Sequence, residues 1–175
     1  MPISDSEQIN ISRCMDEKQV NELARFFIEN VEISYISHSE VQIGRAISEK
    51  QWNPDLLTLL QEEFTSIIRS KGRGRNAYIL LVSRISSRVV GLCIFHCNKT
   101  YARSFAVIED LVIDRDFRGK GVGSKMVAWV ENEALKMNIS NIYIESGKNN
   151  HTAHSFFKKK GFRNVSLVMM KKLSH

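Results

Sequence analysis

The most restrictive feature of this sequence is a glycine-rich stretch, RGKGVGS at 118–124, that joins a strand pattern to a helix pattern. The residues before it, SFAVIEDLVID at 104–114, are rich in β-branched residues, which favour strands. After it, apolar residues recur at helical spacing to about residue 138, and a short strand pattern follows at 141–146. The sequence therefore predicts a β-α-β step with two parallel neighbouring strands.

Other strand and helix patterns fill the rest of the chain. Further strands are predicted at 9–13, 76–84, 88–97 and 165–173, and helices at 16–30, 53–70 and 150–160, with 31–52 helical in part. Asn53 is expected to cap the second helix, with Pro54 at its first position. Short turns between the central strands favour antiparallel pairing. The expected fold class is α/β (α+β), with residues 1–175 as one domain whose mixed, mostly antiparallel central sheet is flanked by helices.

Composition limits the class of protein. The chain has 175 residues, 43% of them apolar and 25% charged, and no apolar run approaches the ~20 residues of a membrane span. Its polar, acidic start does not resemble a secretory signal, so we expect a cytoplasmic protein. Its three cysteines are an odd number, which favours reduced thiols. Cys93 and Cys97 share one strand face with Phe95, which predicts buried apolar side chains and no metal site.

Basic residues concentrate around the glycine loop. From residue 118 to the end there are 11 Lys/Arg and 3 Asp/Glu, a balance of +8, whereas residues 1–117 have 14 and 16, a balance of −2. Such a local excess indicates a polyanionic partner near the loop. A protein that binds nucleic acid over its whole surface is more often basic throughout.

The loop has the chemistry of an anion site but not the spacing of two common phosphate loops. A glycine-rich turn at a helix start presents free backbone N–H groups and the positive end of the helix dipole. A Walker loop requires Ser or Thr after Gly119-Lys120, where Gly121 stands, and a dinucleotide fingerprint requires a third glycine where Ser124 stands.

What remains is the spacing R-x-x-G-x-G, and here the sequence resembles the GNAT superfamily of acetyl-CoA-dependent N-acetyltransferases. The stretch IEDLVIDRDFRGKGVGSKMV resembles the strand, pyrophosphate loop and helix of that family. NHTAHSFFKKKGF at 150–162 resembles its second signature, N-x-x-A-x-x-F-Y-x-x-x-G-F. The two signatures imply a β-α-β acyl-CoA-binding core at about 104–163, and their local sequence is nearest to the diamine and polyamine acetyltransferases.

The resemblance implies a set of cofactor-binding residues. Backbone groups of the loop would hold the coenzyme A pyrophosphate, and the preceding strand would pair with the pantetheine arm. The residues implied in binding acetyl-CoA are Leu111, Val112, Ile113, Arg118, Gly119, Lys120, Gly121, Val122, Gly123, Ser124, Asn150 and Phe156.

The resemblance also implies two catalytic groups. Glu109 stands in an otherwise apolar strand, at a position that the family often uses as a general base; alternatively, it only binds a cationic acceptor. One amide near Val112, taken as that of Val112 itself, would polarise the thioester carbonyl. Asp110 is expected on the opposite face, in a structural role. Phe157 replaces the tyrosine that protonates the departing thiolate in the family, a task open to water, His151 or His154.

Three functions follow as hypotheses. The first is transfer of an acetyl group from acetyl-CoA to a primary amine of a small molecule, by direct attack in a ternary complex. The second is acetylation of a macromolecular amine, in a protein or an aminoacyl-tRNA. RSKGRGR at 69–75 is either a solvated connector or a contact for such an acidic acceptor. The third is a non-catalytic acetyl-CoA-binding module. Tyr101 is a candidate acceptor contact, and a homodimer is expected by analogy with the family.

Overall fold

The structure is a computed structural model that describes residues 8–74, 76–99, 103–171 and 173. Tyr101 lies outside the described residues. The strands are β1 (Ile9–Arg13), β2 (Ala46–Ser48), β3 (Gln51–Trp52), β4 (Asn76–Ile85), β5 (Arg88–Lys99), β6 (Ser104–Ile113) and β7 (Ile142–Ile144). The α-helices are α1 (Val20–Asn30), α2 (His38–Gln42), α3 (Leu56–Ser70), α4 (Val122–Lys136) and α5 (His151–Lys159). Short 3-10 turns lie at Glu17–Gln19, Ile33–Tyr35 and Arg115–Phe117.

The central sheet has five strands in the order β1-β4-β5-β6-β7. All neighbours pair antiparallel except β6 and β7, which are parallel and are connected through the glycine loop and α4. The fold class and the β-α-β step predicted from the sequence are confirmed. β2 and β3 form a separate small hairpin between α2 and α3.

Helices cover both faces of the sheet. α1 and α3 pack on one face, with Phe27 and Phe64 fully buried between them and the strands. α4 and α5 pack on the other face, where Met126 and Phe157 meet the side chains of β4, β5 and β6. Burial of each such large apolar side chain contributes about 1.5–3 kcal/mol. Each face thus has an apolar core, and the sheet is buried on both sides.

A β-bulge in β6 sets the direction of its acidic side chains. Ile94 pairs with Asp110 and the next residue of β5, Phe95, pairs with Ile108, so Glu109 is an extra residue of β6 between two consecutive pairs. The bulge interrupts strict alternation, and the side chains of Glu109 and Asp110 both reach groups on the α1/α3 face. The expectation that they point to opposite faces is therefore wrong.

Other differences from the sequence predictions lie at element ends. The segment 165–173, predicted as a last strand, forms no strand in its described part, and its apolar side chains are exposed. α3 begins at Leu56 with Asp55 at the N-cap position, because Asn53 accepts a hydrogen bond from Asp55 N (2.9 Å) in a preceding turn that includes Pro54. The predicted C-terminal ends of α1 and α5 are confirmed within one residue, whereas α1 begins at Val20, after a 3-10 turn at Glu17–Gln19.

The cysteines are buried, as the sequence predicts for Cys93 and Cys97. Cys93 and Cys97 lie with Phe95 in the core on the α4/α5 face, and Cys14 is buried against α1. Burial raises the pKa of the Cys14 thiol and, much further, that of Cys93. In the described part of the chain, every helix is too short or too polar to span a membrane.

Candidate active site

A cleft of about 370 Å³ opens where β6 and β7 diverge. The two strands pair only from Ala106–Ile108 to Ile142–Ile144, and β6 continues to Ile113 without β7 as a neighbour. Its walls come from this free edge of β6, the glycine loop, the start of α5 and the segment after α1. The candidate residues that line it are Glu109, Leu111, Val112, Ile113, Arg118, Gly119, Gly121, Gly123, Ser124, Asn150 and Phe156.

The free edge of β6 directs particular amides towards the cleft. Asp114 N donates to Val90 O of β5 at 3.1 Å. Because backbone N–H groups alternate in direction along a strand, the amide of Val112 also points to β5, and those of Leu111 and Ile113 point to the cleft. The Val112 side chain is buried in the core on the α1/α3 face. The amides that face the cleft are therefore those of Leu111 and Ile113, and not that of Val112 as expected from the sequence.

The glycine loop forms a cradle of free amides. Gly119 and Gly121 have φ of 76° and 89°, in the left-handed region that favours glycine, and Gly121 occupies the N-cap position of α4. The amides of residues 121–124 donate to no backbone carbonyl among the described residues. Several free N–H groups at a helix start are what a pyrophosphate requires, so this part of the chain fits coenzyme A.

Arg118 ties the loop to α1. Its Nη2 donates to Asn30 O at 2.6 Å, its Nε donates to Ile113 O at 3.3 Å, and its Nη1 lies 3.4 Å from Glu32 Oε1. Asn30 Oδ1 also accepts a hydrogen bond from Arg115 N (3.0 Å). The guanidinium of Arg118 therefore positions the loop as well as adding charge beside the cleft.

Two candidates of the loop lie outside the cleft lining. The side chain of Val122 is buried in the core on the α4/α5 face, so that only its amide belongs to the cradle. Lys120 Nζ lies 5.0 Å from the centre of the Phe117 ring, a cation-π contact.

The start of α5 provides the facing wall. Asn150 Oδ1 caps α5 by accepting a hydrogen bond from Ala153 N (3.2 Å), which leaves its amide NH₂ for a bound group. The ring of Phe156 packs against the loop, since a Cβ at Gly123 would lie 3.4 Å from its Cζ. Phe157 is buried against Phe162, with ring centres 5.3 Å apart. The rings of His151 and His154 meet edge to face, with centres 5.9 Å apart, and do not line the cleft.

Glu109 is the carboxylate of β6 that faces the cleft. Its side chain is 36% exposed, and its Oε1 lies 2.9 Å from His96 Nδ1 of β5. His96 is 8% exposed, and its ring stacks on Tyr78 of β4 with centres 4.6 Å apart. The sequence analysis missed His96, although the pattern GLCIFHC places this one polar residue inside a buried strand.

Behind Glu109 lies a buried polar network. Arg45 Nη1 donates to both oxygens of Asp110 (3.2 and 3.0 Å), its Nε and Nη2 donate to Glu63, and Tyr35 OH donates to Asp110 at 2.8 Å. Burial and the neighbouring Asp110 raise the pKa of Tyr35 well above its ordinary value. Burial lowers the pKa of Arg45, but Asp110 and Glu63 outweigh it and the net shift is upward. Burial also raises the pKa of Glu63, against the opposing effect of Arg45.

The segment after α1 forms the other end of the cleft. It contributes Glu32, Ser34, Tyr35, Ser37 and Glu40, and Glu145 and Ser146 face it from the end of β7. The charged groups in the lining are Glu32, Glu40, Glu109, Glu145 and Arg118. None of the lining residues of the segment 32–40 was predicted from the sequence, because an irregular segment shows no periodicity.

Gly147 fixes this segment against the end of β7. A Cβ at this residue would lie 2.5 Å from Ile36 O and 2.6 Å from Ser34 O. The backbone of the two segments is therefore in direct contact, and only glycine permits so close an approach. No group of three His, Cys, Asp or Glu side chains in the described part of the chain is arranged to hold a metal ion.

Comparisons with known proteins agree with this geometry. The sequence model of the acetyltransferase (GNAT) family matches residues 42–162. "Uncharacterized N-acetyltransferase YycN" of Bacillus subtilis (strain 168) is 24% identical over 123 residues, which cover 70% of this chain and 79% of that protein.

Solved structures show the same fold at low sequence identity. A predicted acetyltransferase with acetyl-CoA from Clostridium acetobutylicum has a TM-score of 0.66 and 16% identity, covering 94% of this chain and 96% of that one. An aminoglycoside acetyltransferase from an uncultured soil metagenomic sample has a TM-score of 0.63 and 14% identity, covering 95% and 97%. A transcriptional regulator from Bacillus halodurans C-125 has a TM-score of 0.68 and 18% identity, covering 95% and 100%.

Proposed function

The chain belongs to the acetyltransferase (GNAT) family, and from that premise we propose that it transfers the acetyl group of acetyl-CoA to a primary amine of a cationic small molecule. One observation carries the proposal. A single cleft joins a cradle of free amides at one end to a group of carboxylates at the other. The cradle suits an anionic cofactor, and the carboxylates suit a cationic acceptor.

The cofactor end is assigned to the glycine loop and β6. The amides of residues 121–124 hold the pyrophosphate, and Leu111 and Ile113 present their amides to the pantetheine arm and the acetyl carbonyl. The Asn150 NH₂ and the Phe156 ring complete this end. When bound, acetyl-CoA supplies an acetyl thioester, whose C–S bond breaks as the new C–N bond forms and whose sulfur leaves as a thiolate that takes up a proton.

The acceptor end is assigned to the segment after α1. Of its carboxylates, Glu40 is engaged by Ser37 (2.6 and 2.7 Å) and Glu145 lies 2.6 Å from His38. Glu109 stands between the two ends of the cleft, is partly exposed and belongs to the strand whose amides face the cofactor. An alkyl amine is mostly protonated at neutral pH and attacks only after it loses a proton, which Glu109 takes.

Neighbouring proteins agree with a small acceptor, since two of the matched structures are named as aminoglycoside acetyltransferases, one of them in complex with sisomicin. Nothing in the comparisons favours the diamine and polyamine members in particular. The acceptor panel therefore includes aminoglycosides, polyamines, amino acids and a lysine peptide.

The test combines cofactor binding with turnover. Coenzyme A binding is measured by calorimetry, and acetyl-CoA consumption is followed as released thiol with each amine and without acceptor. Glu109→Gln should lower kcat by about 10²- to 10⁴-fold while coenzyme A still binds. The matched control is Glu62→Gln, an exposed residue of α3 outside the cleft, which should leave both unchanged. Unchanged turnover in Glu109→Gln removes the assignment of the base.

Two outcomes would favour the other hypotheses. Tight cofactor binding without turnover on any small amine favours a macromolecular acceptor or a binding module. If RNA is the acceptor, its binding falls steeply between low and moderate salt. In the structure Arg69, one of the four basic residues of 69–75, forms an exposed ion pair with Glu17 (2.9 Å). A cytoplasmic location and a homodimer remain predictions, and sedimentation equilibrium measures the latter.

A further inference from the structure

We propose that His96 is a positioning residue for Glu109, and that the two side chains act as one proton-accepting unit towards the acceptor amine. The proposal rests on the proposed function for its chemistry, but its geometry stands alone. His96 Nδ1 lies 2.9 Å from Glu109 Oε1, and His96 itself does not line the cleft. Any effect of His96 on an acceptor therefore passes through Glu109.

The burial of His96 is the first argument. Its Nδ1 is fully buried and makes no aligned hydrogen bond with any described group. A buried nitrogen without a partner is unfavourable, so the proximity of a carboxylate is significant. Alignment requires only a rotation of the Glu109 carboxylate, a torsion that is soft for a terminal sp² group. The pair is thus poised to form a hydrogen bond.

The bulge in β6 is the second argument. Without the extra residue, strict alternation would direct Glu109 and Asp110 to opposite faces of the sheet. With it, Glu109 reaches His96 and Asp110 remains in its own buried contacts with Arg45 and Tyr35. The bulge therefore separates a carboxylate with a buried histidine beside it from one that is paired with an arginine.

The surroundings of His96 favour a fixed ring. Tyr78 pairs directly with His96 across β4 and β5 and stacks on its ring at 4.6 Å. Among the described residues, the titratable and charged groups around the pair include Tyr78 from β4, Asp110 from β6, Glu63 from α3, Arg45, and Tyr35, which is bonded to Asp110. Asp110 and Glu63 are both bonded to Arg45, which leaves Glu109 as the carboxylate of this set without a cation of its own in the described structure.

The chemical step follows from this arrangement. Oε1 of Glu109 faces His96, so that Oε2 is left for the acceptor. The ammonium proton passes to Glu109, and His96 holds the carboxyl group in the orientation that accepts it. The freed electron pair of the nitrogen forms the C–N bond at the expense of the C–S bond of the thioester, and the leaving thiolate would take up the second proton of the nitrogen.

A double-mutant cycle tests whether His96 acts through Glu109. His96→Leu should lower kcat at least about tenfold, part of the ~10²- to 10⁴-fold that a positioned base contributes, with the KM for acetyl-CoA unchanged. His96→Asn, which keeps an N–H near the position of Nδ1, should retain more activity than His96→Leu. In a Glu109→Gln background, His96→Leu should cause no further loss. If the kcat losses of His96→Leu and Glu109→Gln multiply in the double variant, the two residues act independently and the proposal is overturned.

Nuclear magnetic resonance provides a readout that does not depend on turnover. The ¹⁵N shift of His96 Nδ1, assigned by loss of its signal in His96→Asn, should change in Glu109→Ala and remain the same in Glu62→Ala. If no amine is acetylated, the proposed function is wrong. The Nδ1 shift still shows whether His96 and Glu109 interact. An unchanged Nδ1 shift in Glu109→Ala overturns the inference even in an active enzyme.

Discussion

Arg45 Nη1 and Asp110 Oδ2 form an ion pair at 3.0 Å in which the Asp110 side chain is fully buried and that of Arg45 is 5% exposed. The pair joins the small β2/β3 hairpin to the bulged region of β6. Removal of the Arg45 guanidinium would leave the buried carboxylate of Asp110 without a counter-charge.

We therefore expect Arg45→Met to lower the free energy of unfolding by about 3–5 kcal/mol. Urea denaturation measures the change. The exposed pair between Arg69 and Glu17 is the control, and Arg69→Met should leave the unfolding midpoint unchanged. Arg45→Met/Asp110→Asn should be more stable than Arg45→Met alone, because the buried carboxylate is gone; equal stability would contradict this account.

A substitution at Gly147 tests the contact between the segment after α1 and the end of β7. Gly147→Ala forces the segment 34–36 away from β7, because the new methyl group would lie 2.5 Å from Ile36 O. We expect a loss of about 1–3 kcal/mol in unfolding free energy and a raised KM for the amine. Gly44→Ala is the control, since a Cβ there meets nothing within 4 Å and only the left-handed φ of 83° is strained. An equal effect of the two substitutions on the KM would refute the contact.

The pH dependence of stability has a local test at Glu133. Its pKa is lowered by Lys136 first, and also by Arg13. A lowered carboxyl pKa stabilises the fold above the unfolded value of about 4.3, and this contribution is lost as the pH falls through the folded value. Glu133→Gln should be less stable than the unchanged protein at pH 6, and the difference should vanish by about pH 2. A difference that persists in acid has another cause.

The cysteines predict low thiol reactivity in the folded protein. Burial raises the pKa of Cys14 and Cys93, so little thiolate forms at pH 8, and Cys97 is also buried. Labelling with a thiol reagent should be slow for the native protein and should reach all three sites after unfolding. Rapid labelling of the native protein would contradict the burial. Low reactivity also means that released coenzyme A can be measured without a protein background.

The sequence patterns predicted most of the fold because both the glycine loop and the apolar periodicities are local signals. The bulge at Glu109 was missed because no residue type in the strand marks it. It nevertheless reverses which of the following side chains point to each face of the sheet. The strand predicted at 165–173 was wrong because β propensity does not provide a neighbouring strand with which to pair.

The candidate site was also predicted only in part. Most of the residues that the sequence assigned to the cofactor line the cleft, because glycines at fixed spacing are a local signal of backbone conformation. His96 and Tyr35 could not be assigned to it, because their relation to Glu109 and Asp110 depends on strand pairing and on an irregular segment that are distant in sequence. Val112 was assigned an amide role that strand geometry gives to its neighbours.

The contact of Arg118 and Arg115 with Asn30 links the glycine loop to the segment after α1. Asn30 ends α1, so the same residue anchors the proposed anion-binding loop and begins the wall proposed to hold the acceptor. A designer who transplants the acceptor segment of a relative into this chain should therefore make the first junction after Val31. A junction before Asn30 would exchange the anchor together with the wall, and cofactor affinity would change with acceptor choice.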